Sequence, residues 1–303
     1  MTRRLLPVVR GITAAMLLGI NTCFWCVPLF AVSLIKLALP LRPVRAAADR
    51  TLNAIAHQWI ACNSGWMALT QSTRWDVHGL DDLEPGGWYI VGANHQSWAD
   101  IFVLQHLLNR RIPLLKFVLK QQLIYVPVIG LAWWALDFPF VRRHSEAQLK
   151  RHPEKRAQDL ETTRRACEKF ALVPTSVMNF AEGTRFTPTK HRAQESPYAH
   201  LLKPKVGALA QALSVLGEKF HWFLDVTIVY PHGVPMFWQF LCGEVPDIIV
   251  RLRRRPIPEA FSSGDYSADP QFRKTVERWL QEIWQEKDRL IGELLASERQ
   301  AGK

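Results

Sequence analysis

From Gly11 to Ile35 the chain reads GITAAMLLGINTCFWCVPLFAVSLI without one charged residue, and Lys36 is the only charge before Leu39. A run this long matches the roughly 30 Å hydrocarbon core of a bilayer, so it predicts a membrane anchor. Arg3, Arg4 and Arg10 precede it, and Arg42, Arg45 and Arg50 follow it. A secretory signal is the competing reading, because Ala46 to Ala48 resembles a cleavage site. The apolar run is about twice the core length of such signals, which favours a retained anchor. Positive charge on both flanks leaves the orientation of a single span unassigned. Asn21 and Pro28 near the middle suit a kink or a short hairpin with both ends cytoplasmic, so one span and a re-entrant pair both fit.

Beyond a basic linker from Pro40 to Arg50, apolar and polar residues alternate in a different way. Ala54 to Thr70 has helical spacing, and Arg74 to His78 and Trp88 to Gly92 are short strand candidates joined by the turn-rich GLDDLEPGG. Ile101 to Leu108 reads as helix. Thr175 to Phe180, Phe223 to Tyr230 and Asp247 to Leu252 read as strands, Lys205 to Leu216 as helix, and Pro270 to Glu298 as a long amphipathic helix. Strands alternating with helices predict an α/β sheet flanked by helices. Ile112 to Phe140 is apolar enough to suggest a second membrane crossing. Pro127, Gly130, Asp137 and Pro139 interrupt it, so a hydrophobic segment seated on the surface and feeding a strand is expected. Pro153 opens another amphipathic helix, with Ala157, Leu160, Cys167 and Phe170 on its packing stripe. Residues 1–50 thus form an anchor with a basic linker, and residues 51–303 one catalytic domain.

A net charge of +11 favours anionic partners. The basic residues are scattered and no nucleic-acid-binding signature accompanies them, so membrane lipid or a phosphorylated substrate fits better than nucleic acid. Five cysteines, an odd number, imply no disulfide framework. Cys23 and Cys26 form C-x-x-C, yet inside an apolar run with no neighbouring ligand they read as packing residues.

Two short stretches carry chemistry. The first, Asn94-His95-Gln96-Ser97-Trp98-Ala99-Asp100, closes an apolar strand candidate with polar residues. Ser97 followed three residues later by Asp100 resembles a capping box, with Ser97 as N-cap and His95 in the turn before the helix. On one regular helix, positions five apart point about 140° from each other. With His95 outside the helix, the bend can bring Asp100 to its ring. A carboxylate on one imidazole nitrogen orients the ring and supports the imidazolium formed when the other nitrogen takes a proton. This is a triad without its serine, which suggests that a substrate hydroxyl supplies the nucleophile. A metal hydrolase built on His95, Asp100 and His106 is the rival, but no further residues show metal-site spacing.

The second stretch is Phe180-Ala181-Glu182-Gly183-Thr184-Arg185-Phe186-Thr187. Gly183 permits close backbone approach to an anion, Thr184 offers a hydroxyl and Arg185 a phosphate-matching fork. Lys190, His191, Lys203 and Lys205 follow as candidate phosphate contacts or as a solvated basic face.

NHQSWAD, FPFVRR at Phe138 to Arg143, FAEGTRFT and VTIVYP at Val226 to Pro231 together resemble the glycerolipid acyltransferase family. Within it they are similar to the 1-acylglycerol-3-phosphate (lysophosphatidic acid) acyltransferases, on a branch with lysocardiolipin-type enzymes. The resemblance covers about Trp75 to Pro231. It implies a glycerol-3-phosphate acyltransferase-like α/β fold, with His95 as general base and Asp100 as its orienting partner. It assigns Asn94, Arg143, Glu182, Gly183, Thr184 and Arg185 to acceptor binding. An acyl thioester of coenzyme A or acyl carrier protein is the implied co-substrate, and neither metal nor cofactor is called for. The implied acceptor is a lysophospholipid, with another lysolipid or an acylated amino acid as the alternative. The implied location is the cell inner membrane, with the catalytic domain on the cytoplasmic face. Asp137 departs from the pattern, standing where the family usually has Gly, which weakens transfer of roles to Phe140 and Arg143. The thioester carbonyl is expected near the start of the helix after Ser97, where N–H groups can hold an oxyanion.

Overall fold

The computed structural model describes residues 2–141, 173–217, 219–261 and 269–301. Helix α1 (Thr2–Ala38) runs unbroken through Asn21 and Pro28, so no hairpin forms inside the apolar run. The chain turns at residues 39–41 and returns as α2 (Arg42–Thr70), which packs along α1. Lys36 meets Asp49, and Asn21 meets Asn63, so the two helices are antiparallel. The expected basic linker is therefore mostly helix. Pro43 stands in the first turn, where its missing N–H costs nothing, and Ala46 to Ala48 favour continuation.

One face of α1 is buried through Ala14, Cys26 and Leu29, whereas Ile12, Met16, Ile20, Phe24 and Val27 are exposed. Such an apolar stripe in contact with water is unfavourable, and Leu5–Ala38 is long and apolar enough to cross a membrane. It is the one such helix among the described residues, and its exposed face is that of a membrane-associated element.

The sheet-bearing body follows: β1 (Arg74–His78), β2 (Tyr89–Ala93), α3 (Ala99–Leu108), β3 (Leu115–Phe117), β4 (Leu119–Lys120), α4 (Ile129–Ala135) and β5 (Phe140–Val141). After an interval come β6 (Ser176–Phe180), α5 (Pro188–Ala193), α6 (Gly207–Leu216) and β7 (Trp222–Val229). Then α7 (Phe237–Leu241), β8 (Asp247–Pro256) and α8 (Pro270–Ala301) complete the chain. The helix expected from Pro153 lies outside the described residues.

Six strands form a sheet in the order β1-β8-β7-β2-β6-β3. Strands β7, β2, β6 and β3 are mutually parallel, β8 is antiparallel to β7, and β1 is parallel to β8. Central β2, YIVGA, is buried along its whole length, as a parallel strand covered on both faces must be. Its Gly92 is required because a Cβ there would run into the ring of Phe223 on β7.

Helices α1 to α4 cover one face. On the other, α6 and α8 bury Leu213, Val276, Leu280, Ile283 and Trp284. Burying each aliphatic side chain of this kind contributes about 1.5–3 kcal/mol. Lys287 of α8 is fully buried on that face, where it pairs with Asp225 at 2.5 Å and donates to the Val226 carbonyl of β7.

The segment from Ile112 to Phe140 contains no helix long enough to cross a membrane. It folds into a 3-10 turn at Gln121–Tyr125, the short α4 and β5, and it exposes Tyr125, Leu131 and Trp134. That is the surface-seated apolar segment expected from its Pro and Gly breaks.

Candidate active site

Parallel β2, β6 and β7 end at the same edge of the sheet, and each delivers residues of the site there. The register pairs Ala93 with Phe180 and with Val226, so His95 and Glu182 both stand two residues past a matched pair. Loops at the carboxyl ends of parallel strands are where such sheets collect ligands.

Asn94 comes first and is fully buried. Its Nδ2 donates to the Ile228 carbonyl (2.8 Å) and its Oδ1 accepts the Ile228 N–H (2.9 Å). The side-chain amide thereby continues the β2–β7 ladder after the strand has ended. Asn94, grouped by resemblance with the acceptor-binding residues, spends both polar atoms on this bridge.

The next residue is His95, whose Nδ1 lies 2.9 Å from Asp100 Oδ2. That same oxygen accepts the N–H groups of Gln96 (2.6 Å) and Ser97 (2.9 Å), and Asp100 Oδ1 accepts the Tyr230 hydroxyl at 2.6 Å. Burial and then the nearby Asp100 push the Tyr230 phenol well above its ordinary value, so it stays a donor. With donors on every side, Asp100 acts only as an acceptor. The His95 proton therefore sits on Nδ1, and Nε2 carries the free lone pair. The ring is also held flat on Phe180, with centroids 3.8 Å apart and planes 14° from parallel, and Phe117 stacks behind Phe180 at 6.1 Å.

The capping box is half formed. Trp98, not Ser97, stands directly before α3, and Asp100, the second helical residue, reaches back to the Ser97 N–H, whereas Ser97 Oγ donates to Pro235 O (2.7 Å) and accepts from Ala99 N (3.2 Å). Around this helix start the N–H groups of Gln96, Ser97 and Ala99 have side-chain acceptors, and that of Asp100 meets the Ser97 carbonyl at 3.3 Å.

Glu182 is fully buried. One carboxylate oxygen accepts the His95 N–H (2.9 Å) and the other the Leu202 N–H (3.0 Å). It ties the β2 turn to the segment before α6. Burial raises its pKa to about 7, opposed by those two N–H donors and by Lys287. The folded value lies above the ordinary 4.5, so Glu182 favours the fold below that pH, and this advantage disappears as pH rises through 7. Wild-type protein is expected to lose about 3 kcal/mol of stability from this group between pH 4.5 and pH 8, whereas Glu182→Gln lacks that slope. Denaturant midpoints across this range measure it, and parallel pH profiles for the two proteins would refute it.

Gly183 adopts the left-handed φ of 70°, which only glycine takes without strain, and turns the chain behind Glu182. Thr184 Oγ1 accepts Lys190 Nζ (2.7 Å), which also donates to the Arg185 carbonyl (3.0 Å). The exposed Arg185 guanidinium lies 5.0 Å from the centre of the Trp98 ring. His191 is engaged with Tyr198 O, Lys205 is exposed, and Lys203 lines a separate polar groove beside α8. Arg143 lies outside the described residues. His106 bonds Ser64 and packs on Trp75, away from His95. Asp137 takes a φ of 56°, a conformation that favours glycine, with its carboxylate paired to Lys36 of α1 at 2.5 Å.

His95, Trp98 and residues 183–185 border a cavity of about 710 Å³. Its other walls are Phe102 of α3, Trp133 of α4, and Gly19 and Trp59 from the α1–α2 pair. Tyr230, Phe180 and Phe117 were not singled out as site residues from sequence. Tyr230 closes a strand directly before Pro231 and Phe180 opens the second motif, which were usable signals; Phe117 sits on a three-residue strand with none.

The molecule is thus an α/β protein that holds an oriented imidazole at the mouth of a largely apolar cavity, on the carboxyl edge of its parallel strands. A family model described as Acyltransferase matches residues 74–234, more than half of the chain, and the chain belongs to that family. It is 27% identical over 240 residues to human 1-acyl-sn-glycerol-3-phosphate acyltransferase gamma, covering 74% of this chain and 58% of that protein. Lysophosphatidylinositol acyltransferase 10 of Caenorhabditis elegans is 25% identical over 260 residues, 80% of this chain and 61% of the relative. The chain thus spans less than two thirds of the length of these curated relatives. The crystal structure of the 1-acyl-sn-glycerophosphate (LPA) acyltransferase PlsC from Thermotoga maritima shares the fold. Its TM-score is 0.54 at 17% identity, over 93% of this chain and 97% of that one.

Proposed function

We propose that the protein transfers a fatty acyl group from a thioester of coenzyme A or acyl carrier protein to the free hydroxyl of a lysophospholipid. The acceptor is 1-acyl-sn-glycerol-3-phosphate and the product phosphatidic acid. The reading rests on one observation: the oriented His95 and the Gly183-Thr184-Arg185 turn border a single cavity whose other walls are largely apolar. His95 Nε2 takes the hydroxyl proton as the oxygen attacks the thioester carbonyl. The tetrahedral adduct collapses, the carbon–sulfur bond breaks, and the thiolate leaves with the proton from the imidazolium. No acyl-enzyme is needed. Arg185 and Lys190 supply cationic donors for the acceptor phosphate.

Membrane association through α1 lets the lipid acceptor enter sideways. A bulky anionic thioester carrier does not cross a bilayer, so the catalytic body is assigned to the cytoplasmic face of the inner membrane. The nematode relative's name favours a second acceptor, lysophosphatidylinositol, within the same chemistry. Purified protein in vesicles, supplied with isotope-labelled forms of both acceptors and with either thioester, tests the proposal by mass spectrometry. Labelled phosphatidic acid is the expected product. Absence of a new ester from every pair would overturn it.

A further inference from the structure

We infer that Tyr230 is a positioning residue for the base: through Asp100, its hydroxyl keeps His95 in the neutral form that can take the acceptor's proton. The role in transfer rests on the acyltransferase reading, whereas the effect on the imidazole is readable without any turnover.

The two oxygens of Asp100 have different duties. Oδ2 accepts His95 Nδ1 (2.9 Å) and the N–H groups of Gln96 (2.6 Å) and Ser97 (2.9 Å), all from the turn that carries the base. Oδ1 accepts the Tyr230 hydroxyl at 2.6 Å, from the residue that follows β7. Asp100 is fully buried and Tyr230 is 4% exposed, and an oxygen buried this deeply needs a donor. Burial and the neighbouring carboxylate both hold the phenol well above its ordinary value, so the hydroxyl keeps its proton and donates it here.

A hydrogen bond to a carboxylate is strongest when the carboxylate carries its full charge. That is the state in which His95 is neutral, because an imidazolium on Oδ2 already offsets the charge. The Tyr230 bond therefore favours the neutral ring. It also pins the carboxylate at a second point, which keeps Oδ2 directed at Nδ1. Asp100 still supports the imidazolium formed during transfer, but less strongly than a bare carboxylate would, so the proton is readily handed on to the leaving thiolate.

Other titratable groups stand around this pair. Glu182, on the turn after β6, holds the His95 N–H and is influenced by Lys287 of α8. Arg185, Lys120 and Cys23 lie on the walls of the cavity beside His95. Burial raises Glu182 to about 7, inside the working range, so its contribution has to be separated from that of Tyr230.

The experiment compares the full chain with Tyr230→Phe, which keeps the ring that fills this buried position and removes only the hydroxyl. Both proteins are also made with Glu182→Gln. In detergent micelles with carbon-13-labelled histidine, the His95 resonance is assigned by its absence from His95→Ala, and it reports ring protonation across pH. Tyr230→Phe should protonate His95 at a pH about one unit higher than wild type, with or without Glu182. In vesicles, the acidic limb of kcat/KM for transfer from acyl-CoA to 1-acyl-sn-glycerol-3-phosphate should move by the same amount. On that limb the variant is about tenfold slower, and the two rates converge at alkaline pH. Ionisation of the acceptor phosphate is common to both proteins and cancels.

A second measurement needs no substitution. Protein grown on 3-fluorotyrosine carries a more acidic hydroxyl at residue 230, a better donor, and should move the His95 titration to lower pH. A tyrosine that only fills space would slow the variant evenly across pH and leave every titration in place. Coincident titrations in the variant, or in the fluorinated protein should the variant not fold, would overturn the inference. Displaced titrations with no transfer by any of the proteins would instead remove the acyltransferase reading and leave the effect of Tyr230 on the ring standing.

Discussion

His95→Ala is expected to lower acyl transfer by about 10²–10⁴-fold while the protein stays in the membrane fraction. The imidazole at the cavity mouth is oriented by Asp100 on Nδ1 and by the Phe180 ring beneath it, while Glu182 holds the backbone N–H of the same residue. Alanine leaves the backbone contacts to Glu182 and Phe186 in place, because both use main-chain atoms of residue 95. The side chain borders the cavity, where 13% of its surface stays exposed. Anchoring rests on the exposed apolar face of α1, which this change leaves untouched. The check is initial rate per membrane-bound protein at saturating thioester, and a variant as fast as wild type would place the base elsewhere.

Asp100→Asn is expected to cost nearly as much, in the range of about 10²–10⁴-fold in kcat with little change in KM. Asp100 receives N–H donors from His95, Gln96 and Ser97 and the hydroxyl of Tyr230. Asparagine has one acceptor oxygen for this set. If that oxygen keeps the backbone N–H groups and the ring, Tyr230 must turn its hydroxyl to accept, and the imidazolium loses the charge that supports it. If the amide nitrogen meets the ring instead, Nδ1 becomes an acceptor and the proton moves to Nε2, the nitrogen meant to act as base. Either arrangement impairs proton transfer without altering the apolar walls. An unchanged kcat, or a loss confined to KM, would show that Asp100 serves only the local turn.

Much of the scaffold was legible because burial on both faces leaves a strong record in the chain. The run at Tyr89 to Ala93 and the one at Phe223 to Val229 are near-continuous apolar stretches, and both are strands within a residue of expectation. The amphipathic pattern from Pro270 marked α8 for the same reason. Weak local signals failed. Three-residue β3 holds Lys116 between two apolar residues and looks like nothing in isolation; its pairing to β6 makes it a strand. Arg42 to Arg50 looked like a charged linker because the sequence shows the charges and not the α1 surface on which that turn of α2 packs. At the site, Asn94 and Glu182 stood out as polar residues at strand ends, and only the packed structure shows that their side chains are buried and bond to backbone of distant segments.

What the sequence determined by itself was the chemistry available: an imidazole and a carboxylate five residues apart across a turn, a Gly-Thr-Arg turn after a second strand, and an apolar helix too long for a small domain to bury. These follow from side-chain type and short-range spacing. Only the tertiary structure decided which of them meet. The parallel register of β2 with β6 and β7 brings residues 95, 182 and 230 to one edge although they are far apart in the chain. The antiparallel α1–α2 pair turns what looked like an anchor alone into a wall of the same cavity. Contacts between distant segments are set by packing the two faces of the sheet at once, and no local pattern encodes that sum.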